Sequence, residues 1–183
     1  MRLLDRVLQQ WRIAKARPWI ERGSHVLDVG CFDGALFRKA GDAVRSGVGI
    51  DIVRPGSWPP GPYELRLGQF PEAVKDDEIF DGIVMLALVE HILDDQLEQW
   101  SKVVPELLRP HGRLIITTPS PIVDPVLEAG IRLRLLDGME FGQHHGFDPR
   151  SVPMIFESER LRLVHRERFQ LGLNHLFVFE RST

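Results

Sequence analysis

The stretch that most constrains this chain is His25 to Ala40, HVLDVGCFDGALFRKA. Val26, Leu27 and Val29 form a short apolar run that Asp28 interrupts and Gly30 stops, the pattern of a buried strand. From Gly34 onward, Ala35, Leu36, Phe37 and Ala40 fall on helical spacing beside Arg38 and Lys39. The residues between are therefore a strand-to-helix turn. Gly30 and Gly34 lack a Cβ, so the backbone there can take left-handed angles and a ligand can approach the main chain, with a helix N-terminus aimed at it. A nucleotide cradle is the simplest reading. Because Phe32 stands where the second glycine of a G-x-G-x-x-G turn is expected, a tight strand–helix connection with no ligand stays open at this point.

The second strand strengthens the cradle. In SGVGIDIV, Val48 and Ile50 are inward-facing and Asp51 closes the strand, with Ile52 beside it. An acidic residue roughly 20 positions past a glycine turn, at the end of the second strand of a βαβ unit, is placed to accept the hydroxyl hydrogens of an adenosine ribose. The alternative is an Asp that only caps a turn.

At 183 residues the chain suits one domain with its own core. Its 43% hydrophobic and 27% charged residues are ordinary for a soluble globular protein, and no stretch reaches the roughly 18 apolar residues of a membrane helix. The N-terminal segment carries charge throughout and does not read as a signal peptide, so a cytoplasmic location is expected. A single cysteine, Cys31, excludes an internal disulfide and a cysteine-based zinc site. The net charge of −3 argues against a dedicated nucleic-acid binder.

Along the chain, Leu4, Val7, Leu8 and Trp11 recur at helical spacing and predict an amphipathic helix over about 3–16, ending before Pro18, with that apolar stripe packed on the sheet or serving as a lid. Residues 54–62, RPGSWPPGP, form a loop. Tyr63 to Leu67 is a third strand, and Gln69 just past it either meets a purine edge or lies in a surface turn. Ile83 to Leu86 is a buried fourth strand whose far end carries Glu90 and His91, pointing towards the edge where open α/β sheets bind ligands. Asp94 or Asp95 is expected to cap a helix through Leu97, Trp100 and Val104, which Pro105 kinks or restarts. RPHG reads as a turn, and Arg113 to Thr118 as a fifth strand. Asp124–Pro125 and Asp148–Pro149 each predict a helix start, for helices to about Leu136 and Ser158. Leu161 to Phe169 and Leu173 to Glu180 then make an antiparallel hairpin. The fold class is α/β, a Rossmann-like doubly wound sheet of seven strands, mostly parallel, closed by an antiparallel C-terminal hairpin. The expected layout is one domain: an N-terminal helix over 1–22, a cofactor-binding core over 23–120, and an acceptor-facing segment with the closing hairpin over 121–183.

Four pieces in order, VLDVGCFDG, GIDI with Asp51, FDGIVMLALVEHI and LLRPHGRLIITTPSP, resemble the class I S-adenosylmethionine-dependent methyltransferases of the small-molecule type, over roughly residues 24–120 by motif. The resemblance implies S-adenosylmethionine as cofactor. It implies that Gly30, Cys31, Phe32 and Gly34 face its methionine part, that Asp28 is the leading acid, and that Asp51 with Ile52 binds the ribose. Gln69 falls where members often carry an adenine-binding aspartate, and Leu86 matches a backbone position after strand four. Glu90–His91 is similar to the pair that holds a divalent metal in quinone-pathway O-methyltransferases. Ala87 replaces a further Glu of those proteins, so no metal is expected.

Methyl transfer from a sulfonium is an in-line displacement, and a general base is needed only where the acceptor must lose a proton. His91, His144 and His145 are the candidate bases, each with a plain structural role as the alternative; His165 and His175 read as structural. The expected partner is a small-molecule acceptor, bound in an open site or one that a homodimer partner completes. Two other classes remain: a non-catalytic cofactor-binding scaffold acting through a partner, and a nicotinamide-dependent oxidoreductase, for which the chain leaves little room.

Overall fold

The computed structural model describes residues 3–120 and 147–183. The predicted helix over about 124–136, and His144 and His145, lie outside the described residues. The elements are α1 (Leu3–Ala16), β1 (Ser24–Val29), α2 (Ala35–Ala40), β2 (Val44–Asp51), β3 (Tyr63–Leu67), β4 (Phe80–Leu86), α3 (Asp94–Leu107), β5 (Leu108–Pro119), α4 (Ser151–Phe156), β6 (Leu161–Phe169) and β7 (Asn174–Arg181). The seven strands form one sheet in the order β3-β2-β1-β4-β5-β7-β6. β1 to β5 are parallel, and β7 runs antiparallel to both β5 and β6.

The apolar runs arise because the inner strands are covered on both faces. Side chains alternate across the sheet. Leu27, Ile83, Leu114 and Phe177 meet Leu97, Trp100, Val104 and Phe156 on the side of α3 and α4. Val26, Val84, Ile115 and Val178 meet Ile13, Ala16, Leu36 and Phe37 on the side of α1 and α2. The strand order reverses between β1 and β4, which opens a crevice at the carboxyl ends of the strands.

Five local expectations are corrected. α1 does not turn its Val7–Trp11 stripe to the sheet: these side chains are 47% and 42% exposed, whereas Ile13 and Ala16 are buried. The helix sits over the polar edge of the sheet, and its inward side there carries Gln9, bonded to Asp33 at 3.5 Å, and Arg12, bonded to Asn174 at 3.3 Å.

α3 is N-capped by Leu93 without a side-chain bond, and Asp94 and Asp95 occupy its first turn, where acidic groups favour the helix dipole. Pro105 stays inside the unbroken helix, in its last turn.

RPHG does not precede the fifth strand but bulges out of it. Leu108 pairs with Phe80 and Arg113 with Gly82, so four residues of β5 lie opposite Asp81 alone. His111 takes φ +64, and Arg109 donates to Asp81 at 2.9 Å, holding the bulge down.

The helix after Asp148 is shorter than expected, Ser151–Phe156, although the Asp148 carboxylate accepts the Arg150 amide at 2.9 Å as a cap would. No described helix is long and apolar enough to cross a membrane.

Candidate active site

The glycine turn is built by the carboxylate that ends β2. Asp51 Oδ2 accepts the Phe32 amide at 2.8 Å and Oδ1 accepts the Val53 amide at 2.8 Å. The amides of Gly30 and Cys31 both donate to the Ile50 carbonyl, at 2.9 and 3.2 Å. Gly30 and Gly34 each adopt φ +72. Phe32 takes φ +44, so the position expected to hold glycine has the left-handed conformation that favours glycine, and a phenylalanine occupies it.

Gly34 is required by protein packing as well, and Gly30 packs against a side chain that can shift. A Cβ on Gly34 would lie 2.7 Å from Pro59 and 2.9 Å from Trp58, and one on Gly30 would lie 2.9 Å from a Leu88 methyl. Trp58 and Pro59 belong to the 54–62 loop, which is fastened over the turn by the Trp58 indole donating to the Tyr63 carbonyl at 2.9 Å. Cys31 is buried beneath Trp58, facing Gly49. Burial first, and then Asp28, push its thiol far up, away from the thiolate form. Asp28 is itself buried, and its carboxyl is raised well above the usual range by burial, with Asp51 and Asp33 adding to the effect.

A cavity of about 200 Å³ opens beside this turn, at the point where the strand order reverses. Its polar lining is Asp51, Gln69 and Gln96, and its walls include Ile52, Phe70, Leu88 and Trp100. This is below the roughly 300–1,000 Å³ of sites that enclose a whole drug-sized ligand, and it suits a nucleoside-sized part of one. The donor set fits such a group: each Asp51 oxygen keeps a free lone pair, the Gln69 amide offers both a donor and an acceptor, and the walls suit a flat ring.

Of the residues singled out in the sequence, Gly30, Asp51, Ile52 and Gln69 line the cavity. Asp28, Cys31, Phe32 and Gly34 form and support the turn beside it. Leu86 packs with the cluster on the α1–α2 side, and Leu88, two residues on, reaches the cavity instead. The Glu90–His91 pair is split by the 3₁₀ turn Val89–His91: Glu90 is buried and His91 is exposed. Among the described residues, no three His, Cys, Asp or Glu side chains are gathered as a metal site.

Two buried groups were not singled out as catalytic. Burial pushes the Glu90 carboxyl up to about 7, against the opposing effects of its own amide and of Arg12. His175, at the start of β7, is held below the ordinary histidine range by burial, then by Arg168 and Arg166, with Asp148 opposing. Glu90 was legible as the polar end of an apolar run. Nothing in the sequence near His175 shows that an antiparallel strand would return it to this edge.

The methyltransferase domain model matches residues 2–167. The chain belongs to the methyltransferase domain family. It has the class I S-adenosylmethionine-dependent fold. The methyltransferase is 36% identical to the mitochondrial ubiquinone biosynthesis O-methyltransferase of Bos taurus over 108 residues, covering 52% of this chain and 29% of that protein. The human counterpart is 34% identical over the same coverage. The chain thus spans under a third of the length of these curated relatives. Among solved structures, the 1,6-didemethyltoxoflavin-N1-methyltransferase of Burkholderia thailandensis, holding its substrate and S-adenosylhomocysteine, superposes with a TM-score of 0.71 at 18% identity, covering 94% of this chain and 79% of that one. The N-methyltransferase NodS of Bradyrhizobium japonicum WM9 gives 0.64 at 17% identity, covering 97% of each chain.

Proposed function

We propose that this chain transfers a methyl group from S-adenosylmethionine to an oxygen or nitrogen of a small-molecule acceptor. The observation that carries the reading is Asp51 on the rim of an apolar-walled cavity at the switch point of the sheet. Asp51 would hold the ribose hydroxyls, Gln69 would meet the edge of the adenine, and Phe70, Leu88 and Trp100 would flank its ring. The turn of Gly30 to Gly34 would face the methionine part. The bound donor supplies an electrophilic methyl on a sulfonium. The protein's share is to fix the acceptor in line with that methyl and to exclude water. The relatives named as O-methyltransferases support an oxygen acceptor, and the structural neighbours named as N-methyltransferases support nitrogen.

Calorimetric titration with S-adenosylmethionine, S-adenosylhomocysteine and NAD tests the reading. Both adenosyl-sulfur ligands are expected to bind and NAD is not. Binding of NAD alone, or of none of the three, overturns it.

A further inference from the structure

Two of the three polar side chains that line the cavity are carboxamides: Gln69 and Gln96 stand with Asp51, and only Asp51 is charged. Gln69 lies just past β3, directly before Phe70, and Gln96 lies in the first turn of α3, one helical turn before Trp100. Residues one turn apart share a helix face, which is why Gln96 and Trp100 both reach the cavity. The Phe70 and Trp100 rings are buried and meet edge to face, with centroids 5.0 Å apart. Each carboxamide thus enters beside one ring of a fixed apolar pair, from a different element of the fold. Among the described residues neither carboxamide has a hydrogen-bond partner.

The three polar groups divide a nucleoside between them. Asp51 is held in place by the Phe32 and Val53 amides and can only accept, which suits ribose hydroxyls. A flat base belongs against the Phe70–Trp100 pair, and the polar side chains beside those rings are the two carboxamides. Apart from Asp51, no side chain lining the cavity offers the base a charge or a fixed polarity.

A carboxamide carries a carbonyl acceptor and an NH₂ donor of nearly the same size and reach, and half a turn about its last bond exchanges them. The edge of adenine donates from its 6-amino group and accepts at N1. A 6-oxopurine reverses both, accepting at O6 and donating from N1. Carboxamides match either edge by turning, and no group is left unpaired. A carboxylate could not: facing position 6 it would match adenine alone, and facing N1 it would match the 6-oxopurine alone.

We infer that Gln69 and Gln96 make this site permissive at the 6-position of the purine, so that it binds the inosyl form of the nucleoside-sulfur ligand as well as the adenosyl form. The inference rests on the methyltransferase reading above and extends it from the cofactor the cavity holds to the bases it admits. The apolar walls meet the same ring shape in both ligands, so the choice between them falls to the carboxamides.

The test is calorimetric titration of the full-length protein with S-adenosylhomocysteine and S-inosylhomocysteine, which differ only in the 6-substituent and the N1 proton that goes with it. The wild type is expected to bind both, with dissociation constants within about tenfold of each other, the worth of one neutral hydrogen bond. Gln69→Glu and Gln96→Glu keep the length of the side chain and remove its donor. Neither position is buried, so both variants are expected to melt close to the wild type. At about pH 8, at least one of them should shift the ratio of the two dissociation constants by about tenfold or more, because its fixed polarity suits one base and opposes the other. A wild-type preference for the adenosyl ligand well beyond tenfold, or a ratio that neither variant moves, overturns the inference and leaves the methyltransferase reading standing. Absence of S-adenosylhomocysteine binding by the wild type overturns that reading and the inference with it.

Discussion

The carboxylate of Asp51 accepts the backbone amide of Phe32 at 2.8 Å, tying the end of β2 to the turn after β1. Its other oxygen holds the Val53 amide, also at 2.8 Å. The same side chain therefore shapes the turn and faces the cavity. Asp51→Asn can accept through one oxygen only and points its NH₂ at an amide donor. A loss of about 1–3 kcal/mol in urea unfolding is expected, together with at least a tenfold loss of S-adenosylhomocysteine affinity measured well below the melting transition. Unchanged affinity in a folded Asp51→Asn protein would remove Asp51 from the ligand site.

Phe32 at φ +44 carries a strain that glycine would not. The left-handed region costs a non-glycine residue about 1–2 kcal/mol, and the extra freedom of an unfolded glycine returns roughly 0.5–1 kcal/mol of that. Phe32 is 42% exposed, so little packing is lost on its removal. Phe32→Gly is expected to raise stability by up to about 1 kcal/mol in chemical denaturation. A destabilised variant would mean that the ring itself holds the turn.

Gly34→Ala separates two reasons for a glycine. A glycine needed only for ligand approach would cost affinity and leave stability alone. Here the new methyl meets Pro59 at 2.7 Å and Trp58 at 2.9 Å, on a backbone at φ +72. The expected loss is about 2–4 kcal/mol without any ligand. In a Trp58→Ala background the loss should shrink, and a double-mutant cycle reads that coupling directly. Strictly additive losses would show that the indole is not what excludes the methyl.

The buried strands, the placement of Asp51 at the end of one of them and the closing hairpin were legible because each rests on a local pattern: a doubly covered apolar run, a residue ending a strand, a turn between alternating segments. The rotation of α1 was not. Val7 and Trp11 satisfy the helical spacing yet face outward, while Ile13 and Ala16 are buried instead and Gln9 and Arg12 find partners in Asp33 and Asn174, residues far away in the chain. RPHG carries every sign of a turn, and its bulge depends on Asp81 holding Arg109 across the sheet. His175 is invisible for the same reason. Its cross-strand neighbour Thr118 lies on β5 and its partner Ser120 just past that strand, and only the antiparallel register brings them together.

Glu90 gives the pH dependence its direction. Burial raises its carboxyl from the ordinary 4.5 to about 7, so the folded protein holds this proton more tightly than the unfolded chain does. Protonation then favours folding. The contribution of Glu90 to stability is at its best below about 4.5, declines as the pH rises towards about 7, and is flat above that. The full span is on the order of 3 kcal/mol. Glu90→Gln fixes the neutral form. The variant is expected to match the wild type near pH 4.5 and to exceed it by about 1–3 kcal/mol at pH 8, measured by urea unfolding at both values. Comparing the two proteins at each pH cancels the other titrating groups, including Asp28 and His175, which are common to both. If the difference instead favours the wild type more as the pH rises, Glu90 is an ionised partner of Arg12 in the folded protein. Its role would then be to neutralise a buried guanidinium rather than to sit as a buried neutral acid.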